Sequence, residues 1–454
     1  MKTRNVSSGR AGAARAPRRC RYCGEAFPGR APVCPSCGAS RIRPIKRASF
    51  AAAAFVMAVA AIELALRAYF AILLGPSLFW YGTSFHRMNV REPAEHSPLV
   101  RSLYQRRLRG IDDEHHNVRQ HEFVAGSYTK YFPNEKRFTY DADTGEVYPV
   151  TINSRGLRGA EPAVPKAPGT LRVVTLGASS TFGYHDPDDG TYPAILERIL
   201  NERCTHGQRF EVINLGIPHL TSDQIVSLFT AEGLPLRPDV VTFYEGINDS
   251  SETGQAASPV GDKPKKPLKA LEHWARDRLV LVFLVDELLS LRKQRFDAAQ
   301  VEAAAQGTPE RFVANLARLH EECARRGILF VYAKQQARSL LIPREQIRGV
   351  TYAAELERVR EKLAREGRVS RTEMNFLVHE RVVSAGERWA REAGVPIVDV
   401  IAALDQDRDV LVSWVHLNPR GNSMVADAYS RVILEHTCPS GTEASLGSRT
   451  THGG

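Results

Sequence analysis

A parallel five-stranded sheet covered on both faces by helices is the fold this sequence predicts, and two observations carry it. Five short apolar runs, 171–176, 210–215, 239–244, 328–333 and 396–400, are each bounded by turn residues and read as strands. Helical patterns at 191–202, 222–232, 310–326 and 373–394 fall between them. Strands that alternate with helices need crossover connections, so the strands run parallel and both faces of the sheet are covered. The class is α/β, and the alternation begins only at residue 171.

What precedes it differs in kind. The chain has 454 residues, more than one compact core usually holds. Apolar content is 43% and charged content 25%, ordinary for globular protein. The formal charge is +10, but residues 1–47 hold twelve Lys/Arg and one Glu, net +11, so the other 407 residues sum to −1. The basicity belongs to a tail, with 1–17 read as disordered. A near-neutral body argues against nucleic acid as its partner, although a basic arm suits anionic lipid or RNA.

Cys20, Cys23, Cys34 and Cys37 form two C-x2-C pairs, each followed by glycine (Gly24, Gly38). Two-residue spacing lets both thiolates of a pair reach one metal. Four thiolates suit tetrahedral zinc with no open position, so the reading is a structural zinc site, with two disulfides as the alternative. Residues 18–40 resemble a zinc ribbon. A basic cluster, Arg41 to Arg47, then leads into the apolar stretch 49–74, which is interrupted by Glu63 and Arg67 at i, i+4. A bilayer core needs about 20 apolar residues, so 49–74 is read as a transmembrane helix, with Phe79, Trp80 and Tyr81 near the outer headgroups. Basic residues before the span predict a cytoplasmic N-terminus and a body outside the cytoplasmic membrane. The thiolates agree, since they persist in a reducing compartment.

Residues 82–160 form a lead-in. Alternation from Tyr128 to Asn153 around Asp143-Thr-Gly145 suggests a small hairpin, and three prolines in 161–170 a short linker. Within the main domain, 171–436, residues 255–309 break the rhythm and read as a helical insertion. Residues 439–454 read as disordered. Cys204, Cys323 and Cys438 are odd in number, so at most one bridge can form among them, and none is assigned.

Four segments lie where an open sheet gathers its loops. Gly177-Ala-Ser-Ser-Thr-Phe-Gly183 turns a strand into a helix and lifts Ser179 out of the strand end. Glu211-Val-Ile-Asn-Leu-Gly216 and Tyr244-Glu-Gly-Ile-Asn-Asp249 end the next two strands, and Trp414-Val-His-Leu-Asn-Pro-Arg-Gly421 precedes a late helix. A serine needs a base to take its proton, and His416 is the candidate. Negative charge on an attacked carbonyl needs donors, and the N–H groups of Ser179 and Gly216 with the Asn248 amide are candidates. Asp249, His185 and His219 are candidates for lining the cleft, with Asp249 also suited to fixing its loop.

Together these segments resemble the SGNH hydrolase (GDSL esterase/lipase) superfamily over roughly residues 150–436, and Ile152-Asn-Ser-Arg-Gly-Leu-Arg-Gly159 resembles its membrane-anchored bacterial branch. Gly177 to Gly183 resembles G-D-S-x-T-x-G, Gly216 matches the second block, Gly246 to Asp249 matches G-x-N-D, and Ser413-Trp-Val-His416 resembles D-x-x-H. The resemblance implies a flavodoxin-like three-layer α/β/α fold, Ser179 as nucleophile, Gly216 and Asn248 in the oxyanion hole, and His416 as base, with no cofactor for catalysis. It implies esterified carbohydrate or lipid of the cell envelope as substrate, by hydrolysis or acyl transfer. Two positions depart: Ala178 stands where the family has Asp, and Ser413 replaces the acid that orients the imidazole. Asp409, Asp407 or a backbone carbonyl could serve instead. Without an acid the site is a Ser–His dyad, or a binding site for carbohydrate or protein that has lost turnover. A cytoplasmic zinc-ribbon protein associated with nucleic acid is the reading left if 49–74 does not span. The ribbon could also take an intracellular protein partner.

Overall fold

The computed structural model describes residues 18–20, 22–27, 33–38, 43–74, 79, 121–124, 128–142, 147–204, 207–251, 275, 278–293 and 295–438. The tails 1–17 and 439–454, Trp80, Tyr81, residues 82–120 and the turn Asp143-Thr-Gly145 lie outside them, as does the insertion from 255 to 274. The chain divides into two compact units, Met1–Leu66 and Arg67–Gly454.

In the first unit, Arg18–Arg19 pairs antiparallel with Ala26–Phe27. The C-x2-C pairs adopt the same turn twice: Gly24 N donates to Cys20 O and Gly38 N to Cys34 O, each at 2.9 Å. Both glycines have positive φ (77° and 66°), which a side chain would oppose. Helix α1 (Arg43–Leu74) follows, its residues from Arg67 belonging to the second unit. Its segment Ala48–Ile72, 25 residues, is long and apolar enough to cross a membrane. Phe50, Phe55, Val56 and Met57 point outward from it and are exposed.

In the second unit, Arg67 donates to the carbonyl oxygens of Phe79 (3.1 Å) and Arg278 (2.5 Å). Two antiparallel ribbons come next, His121–Val124 with Tyr128–Tyr131 and Lys136–Tyr140 with Val147–Thr151.

The main sheet has five parallel strands: β1 (Thr170–Gly177), β2 (Arg209–Gly216), β3 (Val240–Tyr244), β4 (Leu329–Lys334) and β5 (Ile397–Asp399). Their spatial order is 2-1-3-4-5, the flavodoxin-like arrangement. The α/β class and the five parallel strands are therefore as the sequence predicts. Successive residues point to opposite faces and both are buried. Val174, Val241, Phe330 and Tyr332 pack with α3 (Ser222–Leu228), α4 (Thr308–Ala324) and α6 (Arg371–Glu392). Val173, Val240 and Val331 pack with α2 (Tyr192–Arg203) and α7 (Pro419–Thr437). Burial on both faces is why these strands read as continuous apolar runs instead of alternating ones.

Helix starts have local causes. The Thr191 hydroxyl accepts from Ala194 N ahead of α2, and Thr221 with Gln224 and Ser370 with Glu373 form capping boxes ahead of α3 and α6. Helix α5 (Tyr352–Glu366), absent from the sequence prediction, buries a narrow stripe, Tyr352, Glu355, Leu356 and Val359, that itself contains a charged residue. In the insertion, Val280–Lys293 and Ala298–Ala305 are helical.

One reading is corrected here. Cys204 and Cys438, for which no bridge was assigned, are disulfide-bonded across a sequence separation of 234. They cap the carboxyl ends of α2 and α7, which pack side by side, and only that packing brings them together. Cys323 is a buried free thiol.

The loops above β4 are held by one buried ion pair. Arg408 bonds Glu355 at 2.6 Å, both fully buried, and also donates to Ala337 O at 2.7 Å, while Glu355 accepts from Ser339 N. Removing one partner strands the other charge, at a cost of about 3–5 kcal/mol. Arg408→Ala is therefore expected to lower unfolding stability by that amount in urea titrations, and Arg348→Ala, at an exposed pair, by under about 1 kcal/mol.

Candidate active site

The carboxyl ends of β2, β1 and β3 are level: Gly177 is in register with Gly216 on one side and Tyr244 on the other. Chain direction across the sheet reverses at β1, so the crevice opens there. Immediately beyond Gly177, Ser179–Phe182 forms a single helical turn closed by Gly183 in the left-handed region (φ 85°). That turn rests on the strand ends. A Cβ on Gly216 would lie 2.2 Å from Phe182 N, and one on Gly177 2.6 Å from Tyr244 O. Backbone cannot yield to a side chain there, so both positions must be glycine.

The turn presents Ser179 half-buried at the edge of the sheet. His416 arrives from a tight loop after β5, in which Val412 N donates to His416 O at 2.9 Å. Arg338 clamps that loop, its side chain donating to Ser413 O at 2.9 Å and its N–H to Trp414 O at 2.8 Å. The two sides meet: His416 Nε2 lies 2.8 Å from Ser179 Oγ. Tyr184 stacks on the imidazole at 5.0 Å between centroids, and His185 meets it edge-on at 5.2 Å. Burial, with His185 and His219 as neighbours of like charge, holds His416 well below its ordinary range. The lowered pKa favours the neutral ring.

The Nδ1 side of the ring is also hydrogen-bonded. Its partner is the Ser413 hydroxyl at 3.0 Å. Asp407 bonds Arg420 and Arg348 instead, and Asp409 lies beside Arg420. Neither reaches the imidazole.

The donors are only partly as expected. Ser179 N–H heads the short turn, where no intrahelical acceptor exists. Asn248 places one amide hydrogen on Leu220 O at 2.9 Å and has a second to offer. Gly216 N–H does not face the cleft; Asn214 Oδ1 takes it at 2.8 Å. Asp249, read in the sequence as cleft lining or loop support, has both oxygens engaged: they accept from Ser222 N (3.0 Å) and Ser222 Oγ (2.6 Å) at the start of α3. His185 is buried against His416. His219 is exposed and carries φ 70°, left-handed backbone rare for a residue with a side chain.

Three contributors went unrecognised in the sequence. Glu245, buried, accepts from Gly246 N and Asn248 N, both at 2.9 Å, and so shapes the loop that carries Asn248. Burial pushes its carboxyl up to about 8. Tyr184 supports the imidazole face. Arg158, in the lead-in, donates to Phe182 O, Gly183 O and Asp186 O, fastening the lead-in to the turn that carries Ser179. Its place in Ile152 to Gly159 was the available signal.

In the first unit, the four sulfurs of Cys20, Cys23, Cys34 and Cys37 lie within 4.8 Å of one another, with Cys20–Cys37 and Cys23–Cys34 at 3.6 Å. Tetrahedral thiolates around zinc, with Zn–S about 2.3 Å, stand about 3.8 Å apart. The cluster could hold a metal ion. N–H groups of Tyr22 and Cys23 directed at the Cys20 sulfur bring that thiol down to about 6, while lost hydration and the neighbouring sulfurs leave Cys23 raised to about 12.

A model of the GDSL-like lipase/acylhydrolase family matches residues 175–424, more than half of the chain. Among solved structures, a putative lipolytic protein of the G-D-S-L family from Desulfitobacterium hafniense aligns at 14% identity, covering 58% of this chain and 99% of its own, with TM-score 0.33. A lipase/acylhydrolase from Enterococcus faecalis aligns at 16%, covering 59% and 96%, with TM-score 0.35. An acetyl xylan esterase aligns at 16%, covering 58% and 100%, with TM-score 0.34. No curated protein matches the chain.

The imidazole environment has a measurable consequence. In a pH titration followed by histidine NMR, His416 is expected to stay neutral below pH 6.5. His185→Ala, which removes a neighbour of like charge, is expected to move its titration upward.

Proposed function

The chain belongs to the GDSL-like lipase/acylhydrolase family, and from that premise we propose that it is a membrane-anchored serine ester hydrolase. Its substrates on this reading are O-acyl esters of cell-envelope carbohydrate or lipid, outside the cytoplasmic membrane. The observation that carries the proposal is the 2.8 Å contact between Ser179 Oγ and His416 Nε2 at the switch point of the sheet.

In the proposed reaction, Ser179 Oγ attacks the acyl carbonyl and His416 takes its proton. Ser179 N–H and the second Asn248 amide hydrogen hold the oxyanion, each donor worth about 3–4 kcal/mol. Gly216 N–H joins them only when it leaves Asn214. His416 then returns the proton to the departing alcohol oxygen, leaving an acyl-enzyme. Water completes hydrolysis; a second hydroxyl in its place gives acyl transfer. Ser413 at the position of the family acid favours a second reading, a member that binds carbohydrate or protein without turnover. The proposed domains are the zinc ribbon at 18–40, the span at 49–74, the lead-in at 82–160 and the hydrolase domain at 171–436.

The anchor rests on the apolar segment Ala48–Ile72 and the basic cluster before it. Cysteine chemistry supports the proposed orientation. Four clustered thiols precede the span and a disulfide follows it, and the two states suit compartments of opposite redox poise. Zinc is the proposed occupant of the thiol cluster, as a structural ion. Nucleic acid has no role in this reading.

Hydrolysis of a short-chain p-nitrophenyl ester by the full chain is expected to fall about 10³-fold or more in Ser179→Ala, and a serine-directed phosphonate is expected to label Ser179. Equal rates would overturn the enzyme reading. The protein should resist alkaline extraction from membranes, and a reporter fused at its C-terminus should be active only outside the cytoplasm; activity inside reverses the topology. Purified chain is expected to carry one zinc, released in the Cys20→Ser, Cys34→Ser double variant, and a metal content unchanged by those substitutions would refute the site.

A further inference from the structure

The position at which this chain departs from its family is also the one that fixes the proton on His416. A serine hydroxyl has one hydrogen to donate and two lone pairs to accept with. Ser413 Oγ accepts from Val415 N at 3.2 Å and from His416 N at 2.9 Å. Both acceptor positions are filled by main-chain N–H groups, which cannot reverse their sense. The third contact, 3.0 Å to His416 Nδ1, therefore uses the hydroxyl hydrogen. Nδ1 is the acceptor, so the proton of the neutral ring sits on Nε2, and the 2.8 Å contact at the other side is Nε2–H donating to Ser179 Oγ. Among the described residues no carboxylate hydrogen-bonds the ring.

We propose that Ser413 is a positioning residue that stores His416 in the Nε2–H tautomer, the opposite of the one that accepts the Ser179 proton. Its consequence for turnover rests on reading Ser179 and His416 as nucleophile and base. Attack needs a bare lone pair on Nε2. Reaching it takes one proton from Nε2 to water and one from water to Nδ1, with no change in net charge. Ser413 must then turn its own hydrogen away and release one main-chain N–H to accept from Nδ1. An aspartate at the same place would need none of this. A carboxylate only accepts, has room for about four hydrogen bonds, and could hold both main-chain N–H groups and Nδ1–H together. Serine at 413 thus makes the resting site unready, and the neutral ring favoured by its burial against Tyr184 and His185 does not cure that.

The test uses the full chain in detergent with ¹⁵N-labelled histidine. At neutral pH the His416 signals are expected to show Nδ1 bare and Nε2 protonated. Ser413→Asp is expected to reverse both and to raise kcat about tenfold or more with little change in KM; the wrong tautomer in a serine protease costs about 10⁴. Ser413→Ala, which cannot donate, is expected to give a mixture. A wild-type spectrum with Nδ1 protonated overturns the proposal, and needs no variant to fold. So does a Ser413→Asp spectrum unchanged from wild type. If Ser179→Ala keeps full hydrolysis while the wild-type tautomer is as stated, the enzyme reading fails and the assignment of Ser413 stands.

Discussion

The site depends on a contact between backbones. The turn Ser179–Phe182 sits on the ends of β1 and β2 with no space for a Cβ at Gly177 or Gly216. That approach sets the height of Ser179 above the sheet. It also draws Asn214 into the arrangement: its amide nitrogen donates to Thr181 O at 2.9 Å and its oxygen accepts from Gly216 N. One side chain therefore ties the end of β2 to the turn that carries the serine. Arg158 ties the lead-in to the same turn from the other side. The placement of the hydroxyl is thus set by main-chain geometry, and the side chains around it lock that geometry in.

The opposite half of the site is held differently. His416 is carried by a loop and kept in place by packing, with Tyr184 on one face and His185 at the edge. Arg338 grips the loop's carbonyl groups, and Arg408 grips the segment behind it through Glu355 and Ala337. Buried guanidinium groups suit this work because each can satisfy several carbonyls at once. The imidazole is oriented by this packing and by the Ser413 hydroxyl at its Nδ1.

How much of this was legible follows from physical range. The five strands were readable because burial on both faces makes them uniformly apolar and short. Ser179, Asn248 and His416 could be picked out as candidates because each sits in a short motif at a strand end or before a helix. The partner of Nδ1 was not, because Asp407, Asp409 and Ser413 all lie within a few residues and only the fold of the loop chooses among them. The role of Gly216 was legible as a glycine, but the diversion of its N–H to Asn214 depends on a rotamer two residues back. Helix α5 escaped notice because its buried stripe is narrow and itself contains a charged residue. The Cys204–Cys438 bond escaped because nothing local to either cysteine records that α2 and α7 are neighbours.

That bond has a consequence beyond joining two helix ends. It closes a loop of 234 residues that contains β2 through β5 and the loop bearing His416, while β1 and Ser179 lie outside it. Closing so long a loop restricts the unfolded chain by about 5 kcal/mol in the chain-entropy account, comparable to the whole net stability of many domains. A chain kept reduced forgoes that contribution. The ordered state of the domain is then favoured by oxidising conditions, and under reducing ones the domain is the more easily unfolded.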